Sequence, residues 1–121
     1  MIKFYKRDGS LESVYELTND NLGGTMGMLS RVILKDGKVL EGYSDPLRIE
    51  GKYEEYDGLV HDYIYLWTLK NLDEETHTHN VKDGISIEKV NISDIEEMHS
   101  ILYSHPRWGG KLTNKFWIDI K

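Results

Sequence analysis

The chain has 121 residues and a formal net charge of −6, with 21 acidic and 15 basic side chains and no cysteine. This length corresponds to one domain, and it can bury a core without metals or disulfides, which become usual only below about 40 residues. Because cysteine is missing, disulfides, thiolate nucleophiles and Cys-ligated zinc are excluded. The acidic balance disfavours binding to phosphate backbones, since non-specific nucleic-acid affinity comes from neutralising phosphates.

The start of the chain lacks the features of a targeting segment. Residues 1–8, MIKFYKRD, contain no apolar stretch of the kind that defines a secretory signal. The longest apolar stretch, around Tyr63 to Trp67, is far too short to span a bilayer. We therefore expect a cytoplasmic protein that does not contact a membrane.

The N-terminal segment predicts a β-hairpin within residues 1–20 that turns at Asp8-Gly9. Asp-Gly is a common turn dipeptide, because glycine adopts positive φ at little cost. The apolar positions between Leu11 and Thr18 also fit helical spacing, so a helix is the alternative. We favour the hairpin.

A second hairpin is predicted in SRVILKDGKVLEGYSDPL, residues 30–47. A three-residue loop of Lys35-Asp36-Gly37, with Gly37 left-handed, places Ile33 opposite Val39, Val32 opposite Leu40 and Arg31 opposite Glu41. The last pair is favourable because its charges are opposite, whereas a two-residue loop would set Lys35 against Lys38. No Lys-Ser or Lys-Thr follows these glycines at a helix start, so the segment is not a phosphate-binding loop.

The middle of the chain predicts one long strand between two polar loops. Asp45-Pro46 ends the preceding strand, and residues 51–58 form an acidic loop. Residues 62–70, DYIYLWTLK, are apolar on both alternating faces, which is typical of a central strand covered on both sides. Residues 71–84 then predict a second exposed loop.

The last third of the chain predicts a strand, a helix and a final strand. In residues 85–92, ISIEKVNI, the apolar alternation slips at Glu88-Lys89, which indicates a bulge. Residues 93–96 have the form of a capping box, and apolar residues follow at helical spacing, so a short helix is favoured from about 94 to 103. Residues 115–121, KFWIDIK, alternate like a strand.

Residues 31–98 resemble the Sm-like family of small β-barrels. RVILKDGKVLEGYSDP is similar to the first Sm motif, and VNISDIEEM is similar to the second. The resemblance implies a strongly bent five-stranded sheet, frequent assembly into rings and frequent RNA binding. Its second motif comprises a strand, a tight turn and a short final apolar segment. The family's first RNA-contact loop usually has an Asp-x-x-Asn-like element, whereas this chain has Asp45-Pro46-Leu47-Arg48, with no Asn. The second motif normally carries Arg-Gly or a similar polar pair, whereas this chain has Ile92-Ser93-Asp94, which is acidic rather than basic. Nucleic acid is therefore not the expected partner.

These elements predict a mainly β, β-rich α+β fold over a single domain of residues 1–121. Its centre, at about residues 31–98, is expected to be a small, strongly bent antiparallel barrel of Sm-like or SH3-like type. An N-terminal hairpin at 1–20, one short helix and a C-terminal extension at 104–121 that ends in a strand complete the prediction.

No catalytic, cofactor-binding or metal site is predicted. His77 and His79 would share one face of an extended segment, but two histidines in a polar loop supply too few ligands for a zinc site. The paired carboxylates, such as Glu54-Glu55 and Glu74-Glu75, point apart on strands and are interpreted as solubility charges. We expect a protein that is not an enzyme.

Two sets of residues are candidates for binding. Tyr63, Tyr65 and Trp67 share one face of a strand and could stack nucleotide bases, although core packing is the favoured interpretation. The segment HPRWGGKLTNKFW is aromatic and basic, and its predicted partner-binding residues are Arg107, Trp108, Lys111 and Lys115. The leading hypothesis is a non-enzymatic protein-binding or assembly module, whose partner is another protein or a second copy. The alternative is RNA or single-stranded nucleic-acid binding through the Sm-like scaffold and the basic C-terminal segment.

Overall fold

The computed structural model describes residues 1–49, 56–68 and 87–104, which form seven strands and one α-helix. A single 3-10 turn, Ile92–Asp94, separates the last two strands. The strands and helix, in chain order, are β1 (Ile2–Tyr5), β2 (Leu11–Tyr15), α1 (Asn19–Gly23), β3 (Leu29–Leu34), β4 (Val39–Asp45), β5 (Tyr63–Thr68), β6 (Ile87–Asn91) and β7 (Ile95–Ile101).

All seven strands belong to one mixed sheet in the order β2-β1-β7-β3-β4-β5-β6. Strands β1 and β7 pair in parallel, and every other neighbouring pair is antiparallel. Over the described residues the sheet is open, with β2 and β6 at its two edges. The predicted mainly β class is confirmed, whereas these strands do not close into the predicted barrel.

The two faces of the sheet differ in character. One face, which we call the core face, carries the main hydrophobic cluster, and Leu22 of α1 is fully buried in it. Its buried strand residues are Ile2, Phe4, Val32, Ile64, Leu66, Val90, Ile95 and Met98. The opposite face, which we call the second face, is richer in charged and aromatic side chains. It carries Lys3, Arg31, Glu41, Tyr43, Asp45, Tyr63, Tyr65, Trp67, Lys89, Glu97 and His99.

The β3–β4 hairpin has the register that the sequence predicts. Arg31 lies opposite Glu41, and the pairs continue without interruption to Ile33 opposite Val39. The loop closes with the Gly37 N–H donating to the Leu34 carbonyl over 2.9 Å, and Gly37 has φ +89°. The loop length and the position of its left-handed residue are therefore confirmed.

The N-terminal hairpin is also confirmed, with a turn in which Gly9 has φ +89°. The sequence did not predict α1, which is separated from the end of β2 by three residues. Thr18 caps this helix by accepting a hydrogen bond at Oγ1 from the Asn21 N–H over 3.2 Å. The helix is only five residues long, so its place depends on burial of Leu22 more than on helix propensity.

The helix predicted from about 94 to 103 is wrong, because residues 95–101 form β7. The β3–β7 register slips near Leu34, which pairs with Ile95 while Ile33 pairs with Glu97. Glu96 is thus an extra residue, and Ile95 and Met98 both reach the core face although they are three positions apart. A bulge of this kind reproduces helical spacing in a strand. Hydrogen bonding to β1 and β3 on both sides favours the strand.

The bulge predicted at Glu88-Lys89 is also wrong, because the β5–β6 register is continuous. Ile87 lies opposite Trp67 on the second face, and Val90 lies opposite Ile64 on the core face. The slip in the sequence pattern arises because both faces of β6 carry an apolar residue. β5 is an interior strand of the sheet, as predicted, with one face buried and the other half-buried.

The remaining predictions fall on other parts of the chain. The predicted loop at 71–84 and the final strand at 115–121 lie outside the described residues. The division into a central unit, an N-terminal hairpin and a C-terminal extension stays a prediction.

Candidate functional site

The binding residues predicted from the sequence lie outside the described part of the chain. They are Arg107, Trp108, Lys111 and Lys115. The histidines at 77 and 79 also lie outside the described residues. Across residues 1–49, 56–68 and 87–104, no three His, Asp or Glu side chains converge to hold a metal ion. None of the helices found there is long and apolar enough to cross a membrane.

The edge strand β2 exposes apolar side chains on both sides of the sheet. Leu11 is 52% exposed, Val14 is 42% exposed and Tyr15 is 49% exposed. An edge strand presents unpaired backbone groups, and exposed apolar residues beside them mark a surface that can accept another strand. β2 is therefore the first candidate for a binding surface.

The register shows which backbone groups of β2 are free to pair. The Leu102 N–H donates to the Tyr5 carbonyl over 2.8 Å, so the backbone of Tyr5 points at β7. The backbone groups of successive residues point to opposite edges of a strand. The backbone of Lys3, two residues before Tyr5, therefore also points at β7 and away from β2. Val14 lies opposite Lys3. The N–H and C=O of Val14 therefore point away from β1, toward the free side of the sheet.

A bulge shortens this free edge. Phe4 pairs with Ser13 and Tyr5 pairs with Leu11, which leaves Glu12 as an extra residue in β2. Bulges and edge charges are common means by which sheets limit indiscriminate pairing. The accessible part of the edge is consequently a short segment centred on Val14.

A groove of about 390 Å³ lies beside this segment, between the N-terminal hairpin and α1. Its apolar walls are Phe4, Tyr15, Met28 and Leu102, and the rings of Phe4 and Tyr15 meet edge to face at 5.6 Å. The polar residues that line it include Glu12, Ser13, Asp20 and Asn21. Glu12, Ser13 and Tyr15 of β2 line the groove, so one extended segment could pair with β2 and place a side chain in it.

A second cluster lies at the end of β4 and consists of Asp45, Arg48, Tyr56 and Trp67. Asp45 Oδ2 accepts hydrogen bonds from Arg48 Nε over 2.6 Å and from Trp67 Nε1 over 3.0 Å. Arg48 Nη2 donates to the Tyr56 hydroxyl over 2.7 Å, and the guanidinium lies about 5 Å from the rings of Tyr56 and Trp67. These contacts join the end of β4 to β5, which indicates a structural role.

The aromatic residues of β5 form a ladder on the second face. Tyr63 and Tyr65 meet edge to face at 5.6 Å, His61 stacks on Tyr63 at 5.4 Å, and Lys89 Nζ lies 4.7 Å from the Tyr63 ring centre. The rings of Tyr63, Tyr65 and Trp67 are half-buried on the second face, whereas Ile64 and Leu66 of the same strand point to the core face. The rings therefore do not belong to the core cluster. The core-packing interpretation therefore does not describe their surroundings.

A network of charges occupies the second face near β1, β3 and β7. Lys3 Nζ lies 2.7 Å from Glu97 Oε1, and Arg31 donates from Nε and Nη2 to Glu41 Oε1 over 3.0 and 2.7 Å. Donation from Lys3 is the main cause that lowers the pKa of the Glu97 carboxyl. The charges of this network are thus largely matched within the protein.

His99 is the titratable group at the centre of that network. Burial lowers the pKa of the His99 imidazole, and this outweighs the opposing effect of Glu97. His99 Nε2 lies 3.3 Å from Glu97 Oε1, yet it makes no hydrogen bond of acceptable geometry. Because burial holds the pKa of the imidazole below its ordinary value of 6.5, His99 is mainly neutral at pH 7.

Several buried hydroxyls hydrogen-bond to each other or to the backbone. Ser30 and Ser100 hydroxyls are 2.8 Å apart, as are those of Thr25 and Ser44. Ser104 Oγ accepts from the Leu29 N–H over 2.7 Å and donates to the Ile101 carbonyl. These contacts tie strands together and indicate structural roles.

No protein-family model matches the sequence, and no curated protein or solved structure shows a significant similarity to it. The surface at β2 must therefore be interpreted from its own geometry. Sequence reasoning missed it, although one signal was present. Leu11, Val14 and Tyr15 are apolar without the strict alternation of a half-buried strand, so the pattern assigns this strand no single buried face.

Proposed function

We propose that this chain is a non-enzymatic protein-binding module that accepts an extended segment of its partner on the free edge of β2. The observation that carries the proposal is the exposure of Leu11, Val14 and Tyr15 on an edge strand. Adding a strand to a sheet edge is a common way of binding peptides, in which backbone hydrogen bonds supply affinity and pockets for side chains supply specificity.

β2 offers both features of this binding mode, which are free backbone hydrogen-bonding groups and a pocket for a side chain. Val14 offers an outward N–H and C=O, and the adjacent groove of about 390 Å³ can take a side chain of the added strand. Pockets that bind small ligands begin at about 300 Å³, so this groove suits a single large side chain. The short accessible edge limits the interface, which suits reversible binding more than permanent assembly.

A Pro substitution at Val14 tests the proposal directly. The Val14 N–H makes no bond to β1, so Val14→Pro should leave the hairpin paired while it removes the donor for an added strand. Peptides are selected on the wild-type protein from a random phage-displayed library. The selected peptides should shift the amide resonances of β2, and they should bind Val14→Pro at least about tenfold more weakly than the wild type. The matched control, Val14→Thr, keeps the N–H donor and a β-branched side chain at the same position, and should retain binding.

The proposal fails if selected peptides shift amides elsewhere and leave β2 unchanged. It also fails if Val14→Pro binds them as tightly as wild type while its spectrum shows an intact hairpin. Ser13→Pro serves as a reference for hairpin damage, because the Ser13 backbone faces β1 and its loss should unfold this pair.

Assembly through the Sm-like arrangement is proposed separately and does not use the β2 edge. The five strands that fall within or next to residues 31–98 are consecutive in the sheet, in the order β7-β3-β4-β5-β6, and this supports a five-stranded unit. Arg107, Trp108, Lys111 and Lys115 are proposed as additional contact residues on the strength of their basic and aromatic sequence.

Nucleic-acid binding is the second candidate, and one observation favours it. Tyr63, Tyr65 and Trp67 are half-buried on the second face, with the exposed Lys89 beside Tyr63. Aromatic rings next to a cation can stack bases. The net charge of −6 opposes this function, so we rank it below protein binding.

A further inference from the structure

We infer that the segment accepted by β2 is basic and places one large apolar side chain in the groove, and that it is not a second copy of this chain. This inference rests on the proposed function, since it assigns the chemistry of the partner to the same edge. It follows from the charges around Val14 and from the composition of the groove.

The free edge of β2 is flanked by carboxylates. Glu12 and Glu16 are exposed on either side of Val14, and the exposed Asp20 lines the groove with Glu12. Lys6 lies 3.4 Å from Glu12, and both side chains are largely exposed. Lys3 lies opposite Val14 but is paired with Glu97. Because the exposed pair of Lys6 with Glu12 is weak, Lys6 offsets the three carboxylates only in part. A cationic partner is therefore favoured at this edge.

The same charges disfavour pairing between two copies of the chain. Val14 supplies the outward backbone groups, so two antiparallel β2 strands would pair Val14 with Val14. Glu12 and Glu16 flank Val14 along the chain, so carboxylates of the two copies would come close together at both ends of the pair. Like charges placed directly opposite each other are destabilising. The edge thus resists self-association while it remains open to a strand that carries Lys or Arg.

The groove defines the second property of the partner. Its walls come from Phe4, Tyr15, Met28 and Leu102, and its carboxylates are Glu12 and Asp20. An apolar side chain fits between the walls, and basic side chains two positions before and after it lie on the same face of a strand. The partner pattern is therefore basic, any residue, large apolar, any residue, basic.

Three blocked peptides test this pattern with one backbone. They are TKTFTKT, its neutral counterpart TQTFTQT and its acidic counterpart TETFTET. The lysines and phenylalanine lie on one face, and the threonines favour an extended conformation. Binding is measured by titration of amide resonances, with the shifts of β2 as the readout, at low and at high salt. Sedimentation of the protein alone reports self-association.

We expect the basic peptide to bind at β2 roughly tenfold more tightly than the acidic one at low salt, with the neutral peptide between them. The ratio should fall toward one as salt is raised, because exposed charges are screened. Glu12→Gln with Asp20→Asn should remove most of the preference. The matched double variant Asp36→Asn with Asp94→Asn removes two exposed charges distant from β2 and should retain it.

Four results would overturn the inference. Equal affinity of the three peptides at β2 would refute the charge preference and leave the proposed function standing. Preference for the acidic peptide, or a dimer that buries β2 in the protein alone, would refute the choice of partner. Shifts from none of the peptides would refute the pattern, while the library selection with Val14→Pro tests the proposed function independently.

Discussion

Arg48 donates from Nε to Oδ2 of Asp45 over 2.6 Å, and both side chains are more than nine-tenths buried. The same pair leaves Asp45 Oδ1 and Arg48 Nη1 without a hydrogen-bond partner among the described residues. A buried pair of this kind gains little over an apolar pair, yet loss of one member is costly because the other charge is left uncompensated.

The losses on removing the two members of this pair should therefore not be additive. We expect Arg48→Met to lower the free energy of unfolding by about 3 kcal/mol or more, because the Asp45 carboxylate then stays buried without its cation. The double variant Asp45→Asn with Arg48→Met should lose clearly less than the sum of the two single changes. Urea denaturation of the four proteins gives the coupling, and additive losses would contradict the prediction.

Gly37 allows a second prediction, because its φ is +89° and an added Cβ would meet no atom within 4 Å. Any loss of stability on substitution must then come from the backbone conformation and not from a clash. We expect Gly37→Val to cost about 1 kcal/mol or more, and Gly37→Asn to cost less, since Asn tolerates positive φ better. Equal denaturation midpoints for Gly37→Val and the wild type would show that the loop is not held as described.

His99 makes stability depend on pH in a defined direction. Burial lowers the pKa of its imidazole in the folded state below the unfolded value of 6.5, so the unfolded chain binds the proton first. Above pH 6.5, His99 should make no pH-dependent contribution to the free energy of unfolding. As the pH drops from 6.5 toward the lower folded pKa, the free energy of unfolding should fall.

The variant His99→Gln isolates this effect, because it cannot titrate. Urea midpoints measured between pH 7.5 and 5 should decline more steeply for the wild type than for His99→Gln. Lys3, Arg31 and Glu97 act on this group in the wild type and are retained in His99→Gln, so the comparison isolates the imidazole. Parallel pH profiles for the two proteins would contradict the assignment of a buried neutral imidazole.

Ser104 supports a fourth prediction, because its buried hydroxyl serves two strands. It accepts from the Leu29 N–H over 2.7 Å and donates to the Ile101 carbonyl. Ser104→Ala should cost roughly 1–3 kcal/mol, since the buried N–H of Leu29 loses its acceptor. Ser10→Ala, which removes an exposed hydroxyl bonded to Asp8, is the control and should cost less. Comparable losses would show that the Ser104 contact adds nothing.

Nucleic-acid binding should be weak at physiological salt, with a dissociation constant no lower than the roughly 10⁻⁴ to 10⁻⁶ M of non-specific contacts. Any residual affinity is expected to depend on Arg107, Lys111 and Lys115 and to fall as salt rises. Anisotropy with short labelled oligonucleotides measures both. Nanomolar, sequence-dependent binding that is lost in Tyr65→Ala and survives loss of those three charges would place the function on the aromatic ladder instead.

The sequence by itself determined the local features of the fold. Both hairpins follow from Asp-Gly turns, and the pairing of Arg31 with Glu41 follows from choosing the loop that avoids opposed lysines. These choices depend on neighbours within about ten residues, where turn geometry and alternation decide the outcome. The ending of β4 at Asp45, before Pro46, has the same local origin.

Only the tertiary structure decided how distant segments meet. Residues 95–101 show helical spacing, yet parallel pairing with β1, antiparallel pairing with β3 and the extra residue Glu96 make them a strand. The same parallel pairing brings β1 beside β7 and leaves β2 at the edge, with Val14 directed outward and a groove against α1. The candidate binding surface could not be predicted because long-range strand order, and not local pattern, determines which edge stays free.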